Sequence, residues 1–298
     1  MFFSLLLDYL HNKHIEFALD VNTADLVSFR IGGTAKIAIF PKNTEELVDL
    51  IEFVKNEKYF IIGNGTNCYF SSGMYDGIVI ATKHLNKSHT KGNTIVAECG
   101  ASISKLCKMA LESSLSGIEF AYGIPGSVGG AIYMNASAFG GDFSQIVKKS
   151  KVLDIESGRI IELSKEEHCF SEKFSVFKEK KHVILESELL LQSCDKMLIH
   201  GKMSEYIDKR KISQPLDLPS AGSVFLKPKD GYASYMIDKS GLKGFTVGGA
   251  QVSEKHAGFI VNVNSASATD VQELINVIKA KVYKEFSVEL KEEIIYID

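Results

Sequence analysis

The sequence predicts an α+β fold. Strand-like and helix-like stretches mix without strict βαβ alternation, and no repeat or low-complexity tract interrupts them. A polar, basic stretch with helical spacing, from Ser193 to Gln214, marks the passage from one domain to the next. In MFFSLLLDYLHNKH, Phe2, Phe3, Leu6, Leu7 and Leu10 share a helical face, as expected of a short docking helix. The stretch lacks a basic n-region and a small-residue cleavage site, so it does not read as a signal peptide. AKIAIF alternates as a strand. NTEELVDLIEFVKNEK reads as a helix capped by Asn43 with Glu46 completing a box-like pattern, and Leu47, Leu50, Ile51 and Val54 line one side. YFIIGNG enters a turn from a buried strand, and DGIVIAT and NTIVAECG add two more. SISKLCKMALESSLSG places Ile103, Leu106, Cys107, Ala110 and Leu111 on one side of a helix expected to end at Gly117. GIPGSVGGAIYMNASAFG is too glycine-rich for an ordinary helix. KKSKVLDIESGRIIELS then reads as a hairpin and KHVILESELLLQ as a strand. SATDVQELINVIKAKVYKEF is the clearest helix, keeping its period through Val271, Leu274, Ile275, Ile278 and Val282, and EEIIYI closes the chain as a strand.

The bulk numbers exclude several classes. A chain of 298 residues with 45% apolar and 24% charged residues is ordinary globular material. Its formal charge of −3 carries no basic excess, so nucleic acid is not an expected partner. No apolar run reaches membrane-spanning length. The five cysteines are odd in number, scattered and never in C-x-x-C pairs, as expected of reduced thiols in a cytoplasmic protein. The histidines lack metal-site spacing, so no metal is expected.

Two glycine loops follow apolar sequence. One is Gly63, Asn64, Gly65, Thr66 and Asn67; the other holds Gly123, Pro125, Gly126, Ser127, Gly129 and Gly130. Glycine admits positive φ and lets a ligand reach backbone N–H groups, and Thr66 or Ser127 can add a hydroxyl donor. The loops are either tight turns or an anion nest suited to a diphosphate. The nucleotide signatures G-x-x-x-x-G-K-[ST] and G-x-G-x-x-G are absent. A third stretch, PSAGSVF, puts two serines on a small-residue turn that fits a hairpin or a cap. It lacks the G-x-S-x-G elbow of a nucleophile.

Taken in order, SFRIGGTA, GNGTNCYFSSGMYDGIVI, GIPGSVGGAIYMNASAFGG, PSAGSVF and GLKGFTVGGAQVSEKHAGFIVN resemble the UDP-N-acetylenolpyruvoylglucosamine reductase family, in its shorter class lacking a tyrosine loop. The resemblance implies a vanillyl-alcohol-oxidase type of FAD fold. An FAD-binding domain would occupy 1–194, in two lobes of about 1–75 and 76–194, and a substrate-binding domain 195–298. It implies non-covalent FAD, since no histidine or cysteine attachment motif is identifiable, with NADPH as hydride donor and a UDP-sugar as substrate. The Gly63–Asn67 loop would wrap the FAD pyrophosphate, the Gly123–Gly130 loop would lie against the cofactor, and Asn135 and Ala136 would continue that contact. Ser223 matches the family's proton donor and Glu293 its C-terminal glutamate, although Glu292 stands beside it. The oligomeric state is not readable, and a monomer is the expectation.

The chain also departs from the family. In FSEKFSVF, Phe170 to Phe177, Lys173 falls where an F-x-Y-R-x-S-x-F pattern has arginine, and Glu172 replaces the tyrosine. Lysine keeps the charge but loses the planar fork that grips a carboxylate. FLKP replaces F-K-N-P, so Lys227 stands at a substrate-contacting asparagine. Arg210 and Lys211 fit either the substrate diphosphate or a solvated helix end, and Lys255 and His256 match a substrate-side turn. These departures keep open a non-catalytic flavin binder or an FAD oxidoreductase of other specificity.

Overall fold

The computed structural model describes residues 2–298. Among these residues seven helices form: α1 (Phe2–Asn12), α2 (Thr44–Val54), α3 (Ile103–Glu112), α4 (Val128–Tyr133), α5 (Lys196–Ser213), α6 (Ala233–Lys239) and α7 (Ala268–Phe286). Among the described residues no helix is long and apolar enough to cross a membrane. The chain divides into two compact units. The first contains residues up to Leu19, Ile37–Asn64 and Gly77–Asp208; the second contains Asp20–Lys36, Gly65–Asp76 and Lys209–Asp298.

The first unit centres on a five-stranded antiparallel sheet. Its strand order is Arg159–Ser164, Val147–Asp154, His182–Leu190, Thr94–Glu98 and Ser88–Lys91. The predicted hairpin is the first pair, with Asp154 opposite Arg159. A separate parallel pairing sets Tyr59 opposite Ile78 and Ile62 opposite Ala81. α2 buries the predicted Leu47, Leu50, Ile51 and Val54. Asn43 Oδ1 accepts from Glu46 N at 2.9 Å and the Glu46 carboxylate accepts from Lys42 N at 2.8 Å, a reciprocal cap. Such a cap is worth about 1 kcal/mol.

Two expectations change here. α3 ends at Glu112 rather than at Gly117, because Ser114 turns left-handed (φ 57) and Leu115–Ser116 instead pairs with Gln192–Ser193. Glu119, buried, fixes that exit by accepting from Ser116 Oγ and from Gly117 N at 2.7 Å. The glycine-rich stretch does contain a short helix, α4. Its Gly129 N–H donates to Cys99 O at 2.7 Å, and a Cβ on Gly129 would lie 3.0 Å from Cys99 Cβ. The glycine that lowers helix propensity is what lets this helix lie against the chain at Cys99.

The second unit has a four-stranded antiparallel sheet, ordered Ser220–Ser223, Phe259–Asn262, Ala250–Val252 and Thr246–Val247. α7 buries the predicted Val271, Leu274, Ile275, Ile278 and Val282 in a core with Phe225, Met236 and Ile237. Each such side chain contributes about 1.5–3 kcal/mol on burial. Ser267 and Asp270 form a capping box at its start, and Asp270 also accepts from Gly249 N at 3.1 Å. Phe29, Ile31 and Tyr69 belong to this core. The closing strand is shorter than expected, Ile295–Ile297, and runs parallel to Cys68–Phe70. Glu292 and Glu293 are drawn off to bridge Phe225 and Val224 instead.

Candidate active site

The two glycine loops meet in the first unit. A Cβ on Gly63 would lie 2.2 Å from Ser127 Oγ, so the bare Cα lets the two loops touch. Ser127 is buried and caps α4, its Oγ accepting from Gly130 N at 3.3 Å. Gly123 (φ 82) and Gly126 (φ 152) adopt backbone that other residues rarely take. Pro125, between them, is exposed. In the second unit Gly65 (φ 60) packs where a Cβ would come 2.1 Å from Leu26 O. Among the described residues no protein oxygen accepts from the amide N–H of Asn64, Gly65, Gly126 or Ser127. In the first unit the amides of Asn64, Gly126 and Ser127, left in this way, suit the anionic oxygens of a dinucleotide, so these residues fit FAD. Thr66, the next residue of that loop, is half-buried in the second unit.

Asn135, also in the first unit, is buried and has both ends of its amide engaged. Nδ2 donates to Ser171 O and Oδ1 accepts from Ser144 N, each at 2.9 Å. It therefore props the turn at Ser171–Phe174, whose two residues exchange backbone bonds of 3.1 and 3.2 Å. Lys173 sits in that turn at φ 55 and is half-buried, unlike the exposed Glu172. Ser175, which the sequence offered only as a pattern match, donates from Oγ to Tyr133 O at 2.7 Å and holds the other side of the turn.

The second unit brings Ser223 and Glu293 onto adjoining backbone. Glu293 N–H donates to Val224 O at 2.8 Å, and Leu226 N–H to Lys291 O at 2.9 Å. Gly222 (φ 81) bends the strand just before the serine, with open space where its Cβ would be. Asn67 Nδ2 donates to Glu293 O at 3.2 Å and Asn67 O accepts from Ile295 N at 2.9 Å, tying one glycine loop to the glutamate's strand. The two adjacent glutamates differ in their surroundings: Glu292 is exposed and ion-paired with Lys279 of α7, whereas Glu293 is half-buried.

The remaining basic residues of this unit separate. Arg210 is buried, its Nη1 donating to Gln214 Oε1 at 2.9 Å, and burial lowers its pKa from the ordinary guanidinium value. It is not a solvated helix end. Lys211 and Lys255 line one groove of about 380 Å³ together with Asp217, Gln251 and Ser253. Lys255 Nζ donates to Lys211 O at 2.5 Å. Lys227 lies away from that lining, over the Tyr232 ring at 4.9 Å. His256 shapes the turn: its Nδ1 accepts from Gly258 N at 3.1 Å, and desolvation keeps the ring below its ordinary pKa. In the rest of the molecule, burial pushes the Cys68, Cys99 and Cys107 thiols up to about 12, as expected of core residues.

Residues 35–164 match an FAD binding domain family, and residues 214–297 match the UDP-N-acetylenolpyruvoylglucosamine reductase C-terminal domain. A UDP-N-acetylenolpyruvoylglucosamine reductase from Caldicellulosiruptor bescii is 41% identical over 293 residues, covering 97% of this chain and 93% of its own. One from Clostridium novyi is 42% identical, covering 95% of each chain. The solved structure of UDP-N-acetylenolpyruvylglucosamine reductase from Thermus caldophilus superposes with a TM-score of 0.82 at 29% identity, over 95% of this chain and 99% of that one. A berberine bridge enzyme variant, at 18% identity and a TM-score of 0.52 over 64% of this chain and 44% of its own, shares the fold alone.

Proposed function

From the premise that this chain belongs to the UDP-N-acetylenolpyruvoylglucosamine reductase family, we propose that Ser223, Glu293 and Lys173 carry its chemistry. The chain is an FAD-dependent NADPH oxidoreductase of peptidoglycan precursor synthesis, reducing the enolpyruvyl group of UDP-N-acetylglucosamine enolpyruvate to give UDP-N-acetylmuramate. A non-catalytic or differently specific relative is not favoured. When bound, FAD supplies hydride transfer from NADPH to the enolpyruvyl group.

Hydride arrival at the terminal carbon leaves negative charge beside the substrate carboxylate. Ser223 Oγ–H supplies the proton that quenches it. A serine hydroxyl is a weak acid, so it serves only against a strongly basic acceptor in a site closed to solvent. Glu293 relays the proton or steadies the enolate. The single observation that carries this pairing is the Glu293 N–H bond to Val224 O, which holds the glutamate on the strand beside the serine. Lys173 holds positive charge toward the substrate carboxylate, replacing the family arginine.

Gly63 to Asn67 and Gly123 to Gly130 hold FAD without a covalent bond, a reading supported by the amides of Asn64, Gly126 and Ser127, from which no protein oxygen accepts among the described residues. Asn135 serves that site through the turn it props. Lys211 and Lys255 offer cations to the substrate diphosphate from their shared groove, with Arg210 and His256 shaping the backbone around them, and Lys227 meets the substrate from outside that lining. We assign cofactor binding to 1–194 and substrate binding to 195–298, a division supported by the order of the two family matches. A cytoplasmic monomer is the remaining part of this reading.

The test separates the half-reactions. Ser223→Ala should leave flavin reduction by NADPH near the parent rate and slow anaerobic reoxidation by the sugar nucleotide about 10²–10⁴-fold. Equal slowing of both halves would make Ser223 a turn residue only. A yellow parent protein without turnover of the sugar nucleotide would sink the catalytic assignments altogether.

A further inference from the structure

We infer that His168 is a positioning residue for Lys173, acting through the loop at 169–177; the inference rests on the role given to Lys173 above. His168 is fully buried under the five-stranded sheet of the first unit. Its Nδ1 lies 2.7 Å from Ser164 O, a carbonyl that can only accept, so Nδ1 carries the proton of the neutral ring. Its Nε2 then accepts from Ser150 Oγ at 2.9 Å, and Ser150 Oγ in turn accepts from Ser187 Oγ at 2.7 Å. Ser150 and Ser187 stand opposite each other on neighbouring strands, each 1% exposed. Every proton in this chain has a determined place, and a fully satisfied buried network of this kind specifies one arrangement of the groups around it.

What it specifies is the base of the Lys173 loop. Phe170 stacks on the imidazole at 4.9 Å with a 17° tilt, and Phe177 meets it edge-on at 5.6 Å. Those two rings bracket Lys173 in sequence, so one buried side chain grips both ends of the loop. The backbone is strained at Cys169 (φ 49), just before Phe170, and again at Lys173 (φ 55), between the two rings. Neither residue is glycine, and such conformations persist only where the surroundings over-determine them. Asn135 and Ser175 hold the turn itself through Ser171 O and Tyr133 O. His168 is a further anchor, and its hydrogen bonds and ring contacts go to Ser150, Ser164, Phe170 and Phe177. The charged neighbours acting on it are Glu167 and Glu166 of its own turn, while the strands packed on it present serine hydroxyls.

The experiment uses the FAD-loaded enzyme and four proteins: parent, His168→Phe, Lys173→Met and the double variant. Phenylalanine keeps the ring stacking and removes both hydrogen bonds. His168→Phe should retain FAD and reduce it with NADPH within about twofold of the parent, while reoxidation by the sugar nucleotide falls about 10- to 10²-fold, as for a misplaced catalytic group. In the Lys173→Met background the same change should cost less than about twofold, because coupled residues are not additive. An undiminished further loss in that background, or equal slowing of both half-reactions, overturns the inference. If Lys173→Met alone reoxidises at the parent rate, the Lys173 reading has failed, and that result is visible without any change at His168. Should His168→Phe fold poorly, Ser150→Ala removes only the Nε2 partner and should show the same split at smaller amplitude. A parental reoxidation rate in Ser150→Ala and in His168→Gln, which cannot reproduce both ring bonds, also overturns it.

Discussion

Gly63→Ala tests whether the two glycine loops are built against each other. The new Cβ would sit 2.2 Å from Ser127 Oγ and 3.2 Å from Ser127 Cβ. Ordinary contact needs roughly 3.5–4.0 Å between heavy atoms, so the hydroxyl must move by more than about 1 Å. Ser127 has one side-chain torsion, and turning it breaks the 3.3 Å cap on Gly130 N. Losing an N-cap costs about 0.5–2 kcal/mol. Ser127 is 2% exposed, so its new rotamer is overpacked, at about 1–3 kcal/mol more. Together these give roughly 1.5–5 kcal/mol, or about 3–20 °C in apparent melting temperature for a unit of this size. The assay is thermal unfolding of the apoprotein, since bound FAD would add its own stabilisation. Ser127→Gly in the same molecule removes the obstacle, and glycine is only a few tenths of a kcal/mol worse than serine as an N-cap. The double variant should recover most of the loss. A Gly63→Ala protein melting within about 2 °C of the parent, below the expected shift, or one that Ser127→Gly fails to rescue, would refute the reasoning.

Three further outcomes are expected. Lys173→Met should slow substrate-dependent flavin reoxidation about 10²–10³-fold while sparing reduction by NADPH, and Lys173→Arg should retain activity; stopped-flow absorbance of the two half-reactions reads both. Gly126→Val should lower FAD content on purification, because φ 152 is closed to a β-branched residue, and acid precipitation of the parent should leave all flavin in the supernatant. Stability should fall on mild acidification: desolvation holds His168 and His256 below the ordinary 6.5, so the unfolded chain takes up protons first. That contribution is complete above about pH 6.5 and is lost as pH drops through the lower folded values. It precedes the loss from Glu167 and Asp270, whose carboxyls lie below the usual range because backbone amides donate to them. A melting temperature that stays flat or rises on going from about pH 7.5 to 5.5 would contradict it.

What could be read from the sequence alone were the elements whose causes are local. α2 and α7 carry their caps and apolar period within a single stretch, Asn43 with Glu46 and Val271 through Val282. α4 could not be read, because the reason its glycines are tolerable lies at Cys99, remote in sequence. The early end of α3 was hidden for the same reason, since Ser114 leaves the helix to let Leu115 pair with Ser193. Glycine marked both loops, but not that Gly63 abuts Ser127. Ser223 and Glu293 reached the candidate site through family likeness, as no local pattern links two residues so far apart in sequence that are brought together by the Glu293 N–H bond to Val224 O. His168 carried no signal at all, because a lone histidine in EEHCF has no spacing to interpret.

The second compact unit is assembled from three separated pieces of chain. The strand Cys68–Phe70 pairs with Ile295–Ile297, and Phe29, Ile31 and Tyr69 pack among side chains between Ala221 and Ile294. A ribosome extends a chain at about 5–20 residues per second, so the early pieces emerge some ten seconds or more before their partners exist. The first unit also joins separated pieces, but all of them are made by Asp208. Until residue 297 is free of the exit tunnel, two aromatic rings and an open strand edge stand unprotected, a surface that chaperones hold and that pairs wrongly when crowded. Formation of this unit therefore waits on the strand Ile295–Ile297, and a truncation before Ile295 would also leave Cys68–Phe70 without its parallel partner.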